Sequence, residues 1–341
     1  MSSGAKKIRI ACVGDTSDCT IENPFLPENI SEMIKRCDAL IWNCEAPIVE
    51  DEKHRAFSLK KVALDSFAAI FGRKQPTVLS SEKIAEIMNL TENNIATLAA
   101  NHAIDAGTGQ IEITRKILKK HGHHSLGAGI DKKEALLPLE ISVNNVKIAI
   151  VNYNYIGWNA PMVGYADVYG AGKIRAGAAP LNFTEAEEKI RTLRENNDLV
   201  IACLHLGRCC EENLPERDMK IVKSFLDWGT NLVLVHHSHT MGGVLAQDQG
   251  KIAVLGLGDF IFNCSPCPDY NTFYFCMIEW DSESGFTLKG CPVIRNDGIP
   301  VIADIQRSKE ISHRVRAMSE IAECMDFRVD NEGKWRVNGR K

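Results

Sequence analysis

Asn231-Leu232-Val233-Leu234-Val235-His236-His237-Ser238-His239 is an apolar run of strand length that stops at a cluster of imidazoles. Four more runs, all upstream of it, end in a similar way. Leu199–Leu204 ends at His205, Ile95–Ala99 at Asn101 and His102, Ala39–Trp42 at Asn43 and Glu45, and Ile8–Val13 at Asp15. Parallel strands fed by βα units put their C-terminal ends on one edge of a sheet, where ligand sites gather. The five endings therefore converge Asp, Glu, Asn and His on one spot. Any single ending is a poor signal: Gly14-Asp15 is an ordinary turn, Asn and His are common at strand exits, and satisfied histidines would account for the last. Recurrence is what points to a metal. Imidazole together with carboxylate suits Zn, Mn or Fe, and a site with open positions is catalytic rather than structural.

Up to about residue 130, strands and helices alternate, the pattern of a βαβ-built sheet and an α/β fold. Gly109–Lys120 places Ile111, Ile117 and Leu118 on one helix face, with basic residues in the last turn and Gly122 beyond it. Leu139–Val143 and Val146–Tyr153 flank Asn144-Asn145 and predict a β-hairpin. Residues 154–182, rich in Gly, Ala, Tyr and Trp, predict a long loop that shapes a substrate pocket. Thr184-Glu185-Ala186-Glu187 predicts a capping box and a helix through Arg194. Pro215 opens another, with Met219, Val222, Phe225 and Leu226 on one face and Gly229 as its stop. Residues 251–294 predict an antiparallel run of strands, and a last amphipathic helix carries Ile311, Val315, Met318, Ala322 and Met325. No repeat, low-complexity tract or linker interrupts the chain. The expected organisation is one large domain over residues 1–305, with a C-terminal helix and tail, 306–341, packed on it.

A length of 341 residues is enough for a large core. A composition of 45% hydrophobic and 25% charged residues is that of an ordinary soluble protein. The net charge of −4 gives no global attraction to nucleic acid or an anionic membrane. No stretch matches a signal-peptide core of ~7–15 apolar residues or a membrane span of ~20. These features predict a cytoplasmic protein without a membrane span or a nucleic-acid partner. Twelve scattered cysteines fit that expectation as reduced thiols.

Taken in order, Gly14-Asp15, Asn43-Cys44-Glu45-Ala46-Pro47 and Ala100-Asn101-His102-Ala103-Ile104-Asp105-Ala106-Gly107 resemble the CapA family of poly-γ-glutamate capsule biosynthesis proteins. Gly127-Ala128-Gly129, Leu204-His205-Leu206-Gly207, His236-His237-Ser238-His239 and Leu257-Gly258-Asp259-Phe260 continue the likeness, which runs from about residue 8 to 263. That family is similar to the calcineurin-like metallophosphoesterases. The resemblance implies a four-layer αββα sandwich, two sheets flanked by helices, with two divalent metal ions at the strand ends. Carried over by position, it implies Asp15, Glu45, Asn101, His205, His237 and His239 as metal ligands. Glu45 takes the bridging place, and His102 is the acid near the leaving group. The chemistry implied is hydrolysis of a phosphate ester in a small anionic substrate. The family's name implies an alternative, the amide bonds of γ-glutamyl peptides. A third reading keeps the fold as a non-catalytic binding or assembly component.

Candidate clamps for substrate charge are Arg208, three residues past His205, and Arg55, Lys60 and Lys61 after Glu45. Solvated surface charge is the competing reading of all four. Compared with typical phosphoesterases, Ser17 replaces the His of Asp-x-His and Glu45 replaces Asp. Val235 and Ser238 replace the family's usual Gly and Pro, and Leu206 and Cys209 its Trp and Glu. Cys264-Ser265-Pro266-Cys267 and Cys209-Cys210 bring four thiols into two loops, expected to be incidental and reduced, with a second zinc site or a redox pair as alternatives. His121, His123 and His124 follow a helix end and are expected to be exposed. Gly127-Ala128-Gly129, ahead of a helix capped by Asp131 and Glu134, is too short a glycine signal for a phosphate cradle on its own.

Overall fold

Strands Leu199–His205 and Leu232–His236 are buried along their whole lengths. Near-continuous apolar strands of this kind belong in the middle of a parallel sheet covered on both faces. Both lie there. The structure, a computed structural model, describes residues 5–19, 21–50, 78–156, 170–263, 266–267 and 270–339. Arg55, Lys60, Lys61, Cys264 and much of the loop expected at 154–182 fall outside the described residues.

The two strands belong to a seven-stranded sheet whose order is Glu320–Ile321, Val244–Gln247, Lys251–Val254, Leu232–His236, Leu199–His205, Val146–Asn154 and Leu139–Val143. From Lys251–Val254 to Val146–Asn154 its neighbours run parallel. A ten-stranded sheet faces it. Its order is Met325–Val329, Trp335–Gly339, Gly285–Asn296, Thr272–Asp281, Lys7–Ser17, Ala39–Cys44, Asn93–Thr97 and His123–Leu126. Asp259–Phe262 pairs beside Lys7–Ser17, and Ile299–Ile302 beside Gly285–Asn296. The stretch from Lys7–Ser17 to His123–Leu126 is parallel.

Ile8, Ile10, Cys12 and Ile41 of one sheet share a buried cluster with Ile148, Ile201, Cys203 and Leu234 of the other. The outer face of the seven-stranded sheet, with Ala202, Val233 and Val235, packs on Ile190, Phe225 and Leu226 of helices Phe183–Asn196 and Glu216–Trp228. The outer face of the ten-stranded sheet, with Val13, Leu40 and Trp42, packs on Ile34, Ile84 and Ile111 of three further helices. Side chains alternate along a strand. His205 therefore shares a side with Ile201 and Cys203, and His236 with Leu232 and Leu234, which turns both imidazoles toward the seam between the sheets.

Asn144 and Asn145 both sit at positive φ, 50° and 64°, as a tight hairpin turn demands. The helix expected from a Thr184 cap instead starts at Phe183, because the Asn182 side chain accepts the Glu185 N–H at 3.1 Å. Within 251–294 the antiparallel pairing is confined to Thr272–Asp281 with Gly285–Asn296; Lys251–Val254 belongs to the other sheet, parallel to Leu232–His236. The last helix, Ile305–Ala317, buries Ile311 and Val315 but stops before Ala322 and Met325. Met325 and Phe327 alternate with Asp326 and Arg328, a strand period that outweighs the helical one, and Met325–Val329 and Trp335–Gly339 extend the ten-stranded sheet. The tail is thus part of a sheet. Gly290 makes room for it, since a Cβ there would lie 1.9 Å from the Trp335 ring.

His121 and His123 are not exposed as expected. His121 pairs with Glu82 at 2.7 Å, and His123 is buried behind Trp42. Trp42 Nε1 donates to His123 Nδ1 at 3.3 Å, so the His123 proton sits on Nε2 and goes to the Ala85 carbonyl at 2.8 Å. Burial pulls this imidazole down to about 4. Its folded value lies below the unfolded one of ~6.5, so the unfolded chain binds the extra proton and stability falls as pH drops through that window. The expected loss between about pH 7 and about pH 4 is about 3 kcal/mol. Urea unfolding of His123→Phe across that range is expected to lack this component; an unchanged pH slope would refute the assignment.

Candidate metal centre

The C-terminal edges of the two parallel regions face the same end of the molecule, and the strand endings singled out in the sequence meet there. Asp15 lies at a bulge where Lys7–Ser17 shifts register against Ala39–Cys44. Its N–H donates to the Gly258 carbonyl at 2.8 Å. Gly14 makes this approach possible: a Cβ at that position would fall 2.0 Å from the same carbonyl oxygen. Gly14→Ala is expected to push the strands apart and misaim Asp15, costing about 1–3 kcal/mol from overpacking. A melting temperature and metal content equal to wild type would sink this prediction.

Asp15, Glu45 and His239 offer donor atoms within 4.8 Å of one another, and so do Glu45, His205 and His237. All five residues are buried, and Glu45 belongs to both groups. Asn43 holds the two carboxylates in place, donating from Nδ2 to Asp15 Oδ1 at 2.8 Å and to Glu45 Oε2 at 2.7 Å. Thr97 Oγ1 in turn donates to Asn43 Oδ1 at 3.1 Å, which fixes which end of the amide faces the acids. Asn101 comes to the same place, its Oδ1 2.7 Å from His205 Nε2. His102 is buried nearby with Nδ1 2.6 Å from Asp105 Oδ2, which also accepts the Val78 N–H at 2.8 Å. Arg208 is not brought in: its side chain is 63% exposed and meets Glu211 at 3.5 Å.

Backbone strain marks the same spot. His237 (φ 97°) and His239 (φ 56°) occupy the left-handed region, which disfavours side-chain-bearing residues by about 1–3 kcal/mol each. That turn lets two imidazoles two residues apart reach one centre. His239 is locked by a second residue: Nδ1 lies 2.7 Å from Asp259 Oδ1, while Asp259 Oδ2 pairs with Arg295. Arg295 also donates to the Tyr270 carbonyl at 2.9 Å and lies over the Phe273 ring. Carboxylate behind imidazole is the usual way to orient a metal-binding histidine. Asp259 was visible in the sequence as part of Leu257-Gly258-Asp259-Phe260; Arg295 carried no signal there, being 36 residues further on in a different strand.

The electrostatics suit a cation. Burial and then the neighbouring His237 lower the His205 imidazole well below its ordinary value, and burial with His239 takes His237 to about 3. Both stay neutral, with lone pairs free to bind. Burial opposes ionisation of Asp15, but His236, His239 and His205 outweigh it and hold the carboxyl below the usual range. Burial and Asp15 push Glu45 up. Burial also works against charge on His239, and Asp259 outweighs it to raise that imidazole. Glu45 Oε1, His205 Nδ1, His237 Nδ1 and both ring nitrogens of His236 are buried without a hydrogen-bond partner among the described residues. Each such group costs about 1–3 kcal/mol. A set of orphaned oxygen and imidazole donors around one point fits divalent transition-metal ions.

Ser17, in the place of the phosphoesterase histidine, is turned away. Its Oγ accepts from Ser80 Oγ at 2.8 Å and donates to the Leu79 carbonyl at 3.3 Å. Gly127 has a packing role, since a Cβ there would lie 1.9 Å from Asn152 Oδ1. Of the four loop cysteines, Cys210 and Cys267 form a disulfide and Cys209 is free, so the expectation of incidental reduced thiols is corrected and a four-thiol zinc site is not formed. The disulfide lies beside the histidine turn: Cys210 N–H donates to the Ser238 carbonyl at 2.8 Å. No helix among the described residues is long and apolar enough to cross a membrane.

Sequence comparison agrees with the arrangement of motifs. Capsule biosynthesis protein CapA of Bacillus anthracis is 25% identical over 248 residues, covering 70% of this chain and 54% of that protein. The chain thus spans about half the length of the curated relative it matches. Among solved structures, a hypothetical protein from Thermus thermophilus aligns over 86% of this chain and 96% of its own, at TM-score 0.40 and 11% identity. TT1561 of the same organism aligns over 79% and 93%, at TM-score 0.33 and 10% identity. The sequence pattern described as bacterial capsule synthesis protein PGA_cap matches residues 9–264, and the chain belongs to that family, within the metallophosphoesterase-like superfamily.

Proposed function

We propose that this protein is a metal-dependent hydrolase of phosphate esters, built on a four-layer αββα sandwich of the calcineurin-like type. The catalytic domain spans residues 1–305, and 306–341 completes it with a helix and the two edge strands of the ten-stranded sheet. The observation that carries the reading is the pair of donor groups that share Glu45. Asp15, Glu45 and His239 would hold one divalent ion, and Glu45, Asn101, His205 and His237 the other. When bound, such a pair supplies an activated water and neutralises charge on the phosphoryl group.

The chain's own residues do the rest. Asn43 keeps Asp15 and Glu45 from splaying apart, and Asp259 keeps the His239 ring from turning. Asp105 holds His102 by Nδ1, which leaves Nε2 as the atom from which a proton passes to the departing oxygen. The buried site keeps bulk water from these groups.

Protein loaded with Mn²⁺ is expected to retain two ions per chain and to hydrolyse p-nitrophenyl phosphate. His102→Ala is expected to keep both ions and lose about 10²–10⁴-fold in turnover. A protein that takes up neither Mn²⁺ nor Zn²⁺ would end the hydrolase reading and leave a binding or assembly component. The match to a capsule biosynthesis protein favours one second reading, cleavage of γ-glutamyl amide bonds. Metal retention with inert aryl phosphates and cleaved γ-glutamyl peptides would select it.

A further inference from the structure

His236 is the residue of the His236-His237-Ser238-His239 turn that the reading above leaves without a task. It is 3% exposed, and neither ring nitrogen has a hydrogen-bond partner among the described residues. A neutral imidazole always carries one N–H and one lone pair, so two unmet ring atoms are costly in a buried position. Its strand register places it opposite His205, on the side that faces the seam. Nδ1 lies 3.2 Å from Asp15 Oδ1, but the ring is not aimed to give that oxygen a well-formed hydrogen bond. They are close without pointing at each other. Two donors on one ion are related in this way: at metal–ligand distances of about 2.0–2.2 Å, octahedral to tetrahedral angles set the ligand atoms about 3–3.5 Å apart. His239 Nδ1 and Asp15 Oδ2, at 3.6 Å, are similarly close.

The group formed by Asp15, Glu45 and His239 has only three side chains; His236 stands beside Asp15 but its donors are not within 4.8 Å of all three, so its ring has to turn inward to complete the set. The position that supplies a fourth in typical phosphoesterases is Ser17, whose hydroxyl is committed to Ser80 and Leu79. We infer that His236 is the fourth protein ligand of the ion held by Asp15, Glu45 and His239, doing from the second sheet what Ser17 does not do from the first. This rests on the two-ion reading of the centre. It makes the first site a pair of imidazoles and a pair of carboxylates, which favours Zn²⁺, Mn²⁺ or Fe²⁺ over Mg²⁺.

The test compares wild type with His236→Gln, each loaded with Co²⁺ or Zn²⁺, desalted, and assayed for metal by mass spectrometry. Gln keeps an N–H that could steady Asp15 but does not replace the imidazole donor. The expected result is two ions per wild-type chain and one per variant chain. First-ion affinity should fall at least about 100-fold, and the Co²⁺ absorption of one site should disappear. A variant that holds two ions with unchanged affinity and spectrum would overturn the inference and leave the two-ion centre standing. A wild type that holds none would overturn both. If His236→Gln loses both ions, His236→Gly with added imidazole decides: recovery of two ions supports the ligand, and no recovery sinks it.

Discussion

Glu45→Gln is expected to abolish binding of both metal ions proposed above while leaving the fold intact. Glu45 alone is common to the two donor groups, so its loss removes a ligand from each. The substitution is nearly isosteric, and Asn43 can still pair with the remaining side-chain oxygen. Loss of an outer partner already costs about 10–100-fold in metal affinity, and loss of the shared ligand is expected to exceed that at both sites. Hydrolysis should fall to background. The metal-free protein should move the other way. Burial and Asp15 together oppose charge on Glu45, and a neutral amide removes that opposition, so metal-free Glu45→Gln is expected to melt at or above metal-free wild type. Calorimetry with and without Mn²⁺ reads both effects. Retention of either ion at wild-type affinity would refute the shared role.

Asp259→Asn has the largest expected effect on stability. Asp259 is fully buried between His239 and Arg295, and the Arg295 side chain is only 9% exposed. Asn keeps the shape and removes the charge, leaving a guanidinium paired with a neutral amide and the Tyr270 carbonyl. Breaking a buried pair by neutralising one partner costs about 3–5 kcal/mol. The amide can also present N–H instead of oxygen to His239 Nδ1, which would free the ring to turn and weaken metal binding by about 10–100-fold. Urea unfolding of metal-free protein and a Mn²⁺ titration separate the two effects. A stability change under about 1 kcal/mol would show that Arg295 does not depend on Asp259.

Where the sequence was informative, the reason is periodicity. Apolar runs such as Leu199–Leu204 have to be central parallel strands, and the residue that ends such a run has to lie at the sheet's C-terminal edge. That logic alone brings Asp15, Glu45, Asn101, His205 and the histidine turn together. It says nothing of what lies behind them. Arg295 reaches Asp259 through an antiparallel strand, and Asn43 was one polar strand end among several. His123 looked exposed because it follows a helix end, but it opens a strand whose first side chain packs under Trp42. At the C-terminus, helix and strand periods overlap near Met318 and Met325, and pairing with Trp335–Gly339, itself paired with Gly285–Asn296, decided between them.

The cysteines were the least legible, because a pairing depends on where two loops end up. Cys210 follows the strand of His205 in one sheet, and Cys267 follows the strand of Asp259 in the other. The bond closes a ring with a sequence separation of 57 and contains the whole histidine turn. Closing a ring of that size restricts the unfolded chain by about 4 kcal/mol. It also alters what a protease can do. A single cut within that ring, between residues 211 and 266, leaves two pieces that remain one molecule under non-reducing conditions. The nicked chain would keep both halves of the candidate metal centre tethered, and only a reductant would let them part.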